Sequence, residues 1–354
     1  MQKEKLVMHI FDYTFLQDGL LPSQLVNLTA NIASLKTMSQ LRREKFSVAY
    51  SELERIAKME SVKASNAIEG IVTTDARLTE LMRESTVPLN HTEAEISGYR
   101  DCLNEIHSNP QAHDLTEADI LAFYRQLIRY TGAGDSAGYK TEDNVIAERM
   151  PDGRRVARFV PTSAAETPEA MNQLVLAYRE ARDNPAVNKL LLIPCVILDF
   201  LCIHPFPDGN GRMSRLLTLL LLYRNGFDAG RYVSYEKRIN EDKLAYYQSL
   251  RESSQDWATN ENRVFPFMIH FLTALYGCYQ DLDRRFAVVN SDRVSKSARI
   301  EATVLNALTP IAKSEIAKIL PDVSPSTIEA VLGGMVKRGE IRKIGSGRDV
   351  RYLR

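Results

Sequence analysis

Cysteine is scarce, and its spacing carries no chemistry. The four cysteines, Cys102, Cys195, Cys202 and Cys278, form no C-x-x-C pair, so nothing suggests zinc or a disulfide framework, and a reducing compartment fits. Cys195 and Cys202 fall in an apolar run and read as buried thiols acting as small hydrophobes. Net charge is missing as well. Lys+Arg 45 balance Asp+Glu 45, so the chain as a whole has no pull toward nucleic acid or membrane, and charge has to be read segment by segment. No apolar run is long enough to span a bilayer. The most apolar window, Leu190 to Ile203, is short and interrupted by Pro194 and Asp199. The opening, Met1 to Lys5, leads into no sustained apolar region with a small-residue cleavage site. These absences point to a soluble cytoplasmic protein with no membrane association. What remains is an ordinary globular composition, 44% hydrophobic and 25% charged over 354 residues, ample for two or three domains.

One stretch stands out: Ile203-His204-Pro205-Phe206-Pro207-Asp208-Gly209-Asn210-Gly211-Arg212-Met213-Ser214-Arg215. Apolar runs flank it, Leu190 to Ile203 before and Leu216 to Tyr223 after, so it reads as a polar loop between two buried helices. Gly209 and Gly211 let backbone approach a ligand closely, and successive N–H groups before a helix start form an anion-binding nest. Arg212 and Arg215 follow in the first turn, three apart, against the direction the macrodipole favours. A multiply charged anion between them would resolve that conflict. His204 adds a base and Asp208 a hard oxygen ligand for Mg²⁺.

Every fixed position of this stretch resembles the signature of the Fic family, His-x-Phe-x-Asp/Glu-Gly-Asn-Gly-Arg-x-x-Arg. The resemblance implies a mainly α fold and transfer of AMP from ATP to a Ser, Thr or Tyr hydroxyl of a target protein. It implies that His204 is the proton acceptor and that Asp208 holds Mg²⁺. Gly209, Asn210 and Gly211, including the Asn210 side chain, would cradle the α- and β-phosphates, with Arg212 and Arg215 at the β/γ end. Alternatives on the same site are removal of AMP and phosphocholine transfer from a CDP-alcohol. Phosphoryl transfer of the Doc type is disfavoured, because that branch carries Lys where this chain has Gly211. From a different class, the chain could be a DNA-binding regulator that only senses nucleotide.

In chain order, aromatic-rich residues 1–40 read as packing. A long helix is expected from about Leu41, ending at Ser65-Asn66-Ala67-Ile68-Glu69-Gly70 with Gly70 as C′ cap. Glu69 then sits at the unfavourable end of the dipole, which a nearby cation would offset. Ser65, Glu69 and Gly70 are similar to the family's inhibitory pattern, and the resemblance implies that Glu69 pairs with Arg215 and blocks the γ-phosphate. Helix starts are expected at Asn90-His91-Thr92-Glu93 and Thr116-Glu117-Ala118-Asp119, with His91, His107 and His113 at the surface. Asn144, Val145, Ile146 and Ala147 pair with 156–160 in a hairpin turning at Met150-Pro151-Asp152-Gly153. The resemblance makes this a flap, its first strand at the nucleotide, where a target segment docks along 144–160 by strand addition. Tyr246 and Tyr247 match a pair that borders the adenosine.

After Asn290-Ser291-Asp292-Arg293 the composition changes. Helices over Ile300 to Leu308, Glu315 to Leu320 and Ile328 to Val336, the last with a capping box at Ser326/Glu329, precede a basic hairpin. The order resembles a winged helix-turn-helix, whose partner would be DNA or protein. The division expected is 1–90 (N-terminal helices with the inhibitory segment), 91–290 (catalytic core with a small β-hairpin flap) and 291–354 (winged helix-turn-helix). Auto-AMPylation and a homodimer stay open.

Overall fold

Helical spacing of apolar residues dominates the sequence, and helices dominate the fold. The computed structural model describes residues 9–133, 137–149, 155–287, 295–305, 307, 310–347 and 350–353. Its helices are α1 (Phe15–Asp18), α2 (Ser23–Lys45), α3 (Ser47–Ile68), α4 (Asp75–Leu81), α5 (His91–Ser108), α6 (Glu117–Leu127), α7 (Thr167–Asp183), α8 (Lys189–Ile203) and α9 (Asn210–Arg224). They continue with α10 (Tyr235–Glu241), α11 (Lys243–Ser254), α12 (Phe265–Ala287), α13 (Lys296–Leu305), α14 (Lys313–Ile319) and α15 (Pro325–Lys337). The strands are β1 (Ile146–Arg149), β2 (Arg155–Phe159), β3 (Ile311–Ala312), β4 (Arg342–Ile344) and β5 (Arg351–Leu353). The expected turn at 150–153, the polar break at 290–293, and Leu308, Arg348 and Asp349 lie outside the described residues.

The chain packs as two compact units. One gathers Met1–Ala30, Lys58–Asp228 and Ser234–Leu275; the other gathers Asn31–Ala57, Ala229–Val233 and Tyr276–Arg354. These are discontinuous, whereas the segments 1–90, 91–290 and 291–354 read from sequence are linear. The reason is that α2, α3 and α12 each run from one unit into the other.

In the first unit α8 is apolar on nearly every face and is therefore buried all round. Asn188 starts it, accepting from the Leu190 N–H at 3.0 Å. α7 and α9 pack on α8, α11 lies against it, and α5 covers α6 and α9. Asn90 and Thr116 cap α5 and α6 at the expected positions, accepting from the N–H groups of Glu93 and Asp119 at 2.9 and 3.0 Å. His107 corrects the surface reading. It is buried on the face of α5 that meets Tyr223, edge-on at 5.4 Å.

In the second unit Phe286 stacks on Tyr50 and Phe46, with ring centroids 5.0 and 5.5 Å apart. The helix expected from Leu41 starts at Ser47, because 23–45 forms a helix of its own ending just before Phe46. Towards the C-terminus α13 packs on α15, and β3, β5 and β4 form an antiparallel sheet in that order. The two-residue β3 was not legible in the sequence. The cap of α15 is Ser324, which accepts from the Thr327 N–H at 3.2 Å. Ser326, expected as the cap, lies inside the first turn after Pro325 at N1.

Candidate active site

α8 stops at His204, which takes the left-handed conformation (φ 52) while its N–H still bonds the Phe200 carbonyl at 3.0 Å. A non-glycine residue is held there only where its surroundings over-determine it. His204 Nδ1 lies 3.3 Å from the Leu201 carbonyl. A carbonyl only accepts, so Nδ1 carries the proton and Nε2 keeps its lone pair. Burial is the main force pushing this imidazole down to about pKa 4. The Leu201 bond opposes it, the Lys140 cation adds to it, and Glu69 and Asp208 oppose it. At neutral pH His204 is a free base.

The loop that follows is clasped from inside. Phe206 is fully buried and stacks on Tyr124 with centroids 3.7 Å apart. Asn210 takes the Phe206 N–H on Oδ1 at 2.9 Å and returns Nδ2 to the Phe206 carbonyl at 2.7 Å. This corrects one expectation: the buried Asn210 side chain closes the loop on itself, and what it offers a phosphate is its backbone N–H. Gly209 (φ 80) is the N-cap of α9 and supplies no capping side chain. The first amides of α9 are therefore left for an anion.

An anion from the chain itself stands there. α3 ends in a Schellman motif around Gly70 (φ 82), with the Ile71 N–H on the Asn66 carbonyl at 3.0 Å and the Gly70 N–H on the Ala67 carbonyl at 3.1 Å. That turn aims Glu69 at α9. Glu69 Oε1 accepts from Arg215 Nη2 at 2.8 Å, while the Arg215 Nε and Nη2 donate to the Ser65 hydroxyl and carbonyl at 2.8 and 2.9 Å. Arg215 is only 2% exposed. Burial works against its charge, but Glu69 holds its pKa above the ordinary value. A Cβ built on Gly211 would come 2.2 Å from Glu69 Oε1 and 3.3 Å from Arg215 Nη1, so the close approach needs glycine at this position. Gly211→Ala should therefore loosen the pair and couple to Glu69. A double-mutant cycle in denaturant should give about 1 kcal/mol of coupling between Gly211→Ala and Glu69→Gly. Additive effects would mean the two positions do not meet.

The two arginines do not converge on one point. Arg212 Nη2 pairs with Glu95 Oε1 on α5 at 2.7 Å and reaches Asp208 Oδ2 at 3.3 Å, whereas Arg215 is bound to α3. Three residues apart on a helix leaves about 60° between side chains, enough to send each to a different neighbour. The Arg212 Nε and Nη1 are buried without a hydrogen-bond partner among the described residues. Asp208 is exposed.

A cavity of about 850 Å³ opens beside these groups. The structure brings Glu69, Ile146, His204, Gly211, Arg215, Tyr246 and Tyr247 to its wall, from segments that are far apart in sequence. Tyr246 is buried, and the two rings lie 5.3 Å apart. Asn144, Val145, Asp208, Gly209, Asn210 and Arg212 are not on that wall. The hairpin pairs Ile146 with Phe159 and Ala147 with Ala157, so Asn144 and Val145 precede the first strand. This corrects their expected place in it. Asn144 is held by the loop instead, donating Nδ2 to the carbonyls of His204 and Phe206 at 3.4 and 3.2 Å.

A family match covers the span that contains this loop. The profile of the Fic/DOC family matches residues 114–222. A Fido domain-containing protein of Dictyostelium discoideum is 34% identical over 116 residues, 33% of this chain and 71% of that protein. The chain belongs to the Fic/DOC family. A probable protein adenylyltransferase of Aquifex aeolicus is 30% identical over 141 residues, 40% of this chain and 38% of its own length. A protein adenylyltransferase Fic of Nematostella vectensis is 23% identical over 219 residues, 60% of this chain and 45% of its own. The chain thus spans less than half of these two relatives. A solved Fic family protein from Desulfovibrio desulfuricans has the same fold, with TM-score 0.61, 22% identity and coverage of 94% and 96%.

Within the Fic cavity some residues went unread in the sequence. Arg158 on β2, Leu201 and Cys202 on α8, and Leu244, Gln248 and Arg251 on α11 line it. The α11 set recurs at steps of three and four, a signal on the same face as Tyr247. The Arg158 guanidinium on β2 lies 5.8 Å from the ring centroid of Tyr247 on α11, and no local pattern announced it. Among the described residues no helix is long and apolar enough to cross a membrane.

Proposed function

We propose that this Fic-family chain is a protein adenylyltransferase that moves AMP from ATP to a Ser, Thr or Tyr hydroxyl of a target protein, and that Glu69 restrains it. The observation that carries this reading is a neutral histidine base on the wall of the cavity that also holds the Glu69–Arg215 pair. Its volume suits a nucleotide. His204 Nε2 accepts the hydroxyl proton as that oxygen attacks the α-phosphorus, and pyrophosphate leaves on the opposite side. The uncapped α9 amides balance phosphate charge, and Tyr246 and Tyr247 border the nucleoside. Arg215 takes the γ-phosphate once Glu69 lets go.

Asp208 fits Mg²⁺ as a single protein ligand. It is exposed, and one oxygen is held only by the 3.3 Å contact from Arg212, whereas Mg²⁺ takes one or two carboxylates and completes its shell with phosphate and water. Bound there, the ion would screen the charge developing on the leaving pyrophosphate.

The target is proposed to add a strand along the β1–β2 hairpin. Residues 295–353 are read as a winged helix. Four of its basic side chains are paired internally, Arg299 with Asp322, Lys313 with Glu329, Arg338 with Glu301 and Glu340, and Arg351 with Glu315, so docking to protein is favoured over duplex DNA. All four cysteines are buried and none is in a disulfide, which suits the cytoplasm as the proposed compartment.

The test is incubation of Glu69→Gly protein and lysate with ATP labelled at the α- or γ-phosphate, followed by mass spectrometry of labelled proteins. Label from the α-position on a hydroxyl supports the reading; label from the γ-position only, or none, would refute it. Arg215→Ala should abolish transfer even with Glu69 removed. A double variant as active as Glu69→Gly alone would mean that Arg215 does not hold the triphosphate.

A further inference from the structure

The turn at His204 is held from a segment that the transfer reading leaves without a role. Lys140 and Asn144 bond the carbonyls of Ile203, His204, Pro205 and Phe206, the last shared with the Asn210 amide. Lys140 Nζ donates to the Ile203 carbonyl at 3.1 Å and to Asn144 Oδ1 at 2.8 Å. The Lys140 N–H donates to the Pro205 carbonyl at 2.8 Å. Asn144 Nδ2 reaches the His204 and Phe206 carbonyls. The Ile203 and His204 oxygens are ones a helix C-terminus leaves unpaired, and a cation beside them also matches the dipole. Lys140 is 4% exposed, so its charge faces little screening. Burial pushes its ammonium down to about 8, with Asp143 pulling the other way, which leaves it cationic at neutral pH.

We propose that Lys140 and Asn144 are positioning residues for the transfer chemistry. Together they lock His204 in its left-handed turn, and the Lys140 cation adds a repulsion to the burial that already disfavours the imidazolium. The idea rests on the adenylyl-transfer reading for its kinetic part only. A left-handed histidine costs free energy that its own helix does not repay, so something outside α8 must hold it, and the 140–144 segment makes the contacts that do so. The charges around the imidazole pull both ways: Glu69 from α3 and Asp208 from the loop favour the imidazolium, and Lys140 disfavours it. Arg215, Arg158, Arg251 and Glu252 share the same cavity wall. Lys140 is bonded to the backbone of the turn itself.

The experiment compares Lys140→Met, Lys140→Arg and Asn144→Ala, each made in Glu69→Gly protein. Two quantities are read: the His204 titration by NMR of ¹³C-labelled histidine, and the rate of label transfer at saturating ATP. Lys140→Met should move the His204 pKa upward by about one unit, because a like charge is removed. Lys140→Arg should leave it in place. Asn144→Ala, which keeps the charge, should leave the titration unchanged yet slow transfer about tenfold through loss of orientation. An unchanged His204 titration in Lys140→Met, or undiminished transfer in Asn144→Ala, would overturn the proposal. If no variant transfers label but Lys140→Met and Lys140→Arg still titrate differently, the transfer reading fails and the electrostatic role of Lys140 stands.

Discussion

His204→Ala, made in Glu69→Gly protein, should transfer label at least about a hundredfold more slowly, with ATP still bound. The imidazole is the proton acceptor in the proposed step, and its removal leaves the α9 amides, Gly211 and Arg215 untouched. Undiminished auto-labelling would end the mechanism. The pH dependence gives a second check. With the folded pKa pushed down to about 4, the base stays neutral through the range where an ordinary histidine protonates. The kcat/KM profile, which reports the free protein, should therefore show no acid limb from His204 between pH 5 and 7. Stability follows the same sign. The unfolded chain takes up the proton near pH 6.5, above the folded value, so the His204 contribution is complete above about 6.5 and is lost as pH falls toward 4. His204→Ala should flatten that part of the acid denaturation curve.

The sequence made the central loop legible because its fixed residues are contiguous and their roles are local. Glycines permit close approach, a histidine ends an apolar run, and a helix start follows. The cap at Gly70 was legible for the same reason: a helix that meets β-branched residues after a glycine has little choice. Three other features depend on partners distant in the chain. Arg212 and Arg215 looked like one anion clamp, yet Glu95, 117 positions before Arg212, draws the first away, and Ser65 and Glu69 hold the second. Asn210 has both side-chain groups on the backbone of one residue four positions back, which no composition could reveal. Asn144 matched a strand pattern, but the loop after α8 needed its amide more than the hairpin did. In each case the polar side chain is fixed by a hydrogen bond or ion pair that the local pattern does not announce.

Glu69→Gly should raise auto-AMPylation by at least about tenfold. Glu69 lies where a helix C-terminus disfavours an anion, and Arg215 where a helix N-terminus disfavours a cation, so their 2.8 Å contact relieves both conflicts. A charge-assisted bond of this kind contributes about 1.5–3 kcal/mol, and each 1.4 kcal/mol is about tenfold in population. The pair alone can therefore hold most molecules with Arg215 turned away from the triphosphate. Glu69→Asp should fall between the two, since the shorter side chain strains the pair. Removing Glu69 also leaves the buried Arg215 guanidinium without its counter-charge, so Glu69→Gly without nucleotide should melt below the wild type. ATP then supplies the missing negative charge and should raise the melting temperature of Glu69→Gly more than that of the wild type, because only the variant offers Arg215 free. Equal transfer by wild type and Glu69→Gly at saturating Mg-ATP, with equal thermal shifts, would show that the Glu69–Arg215 contact is structural and restrains nothing.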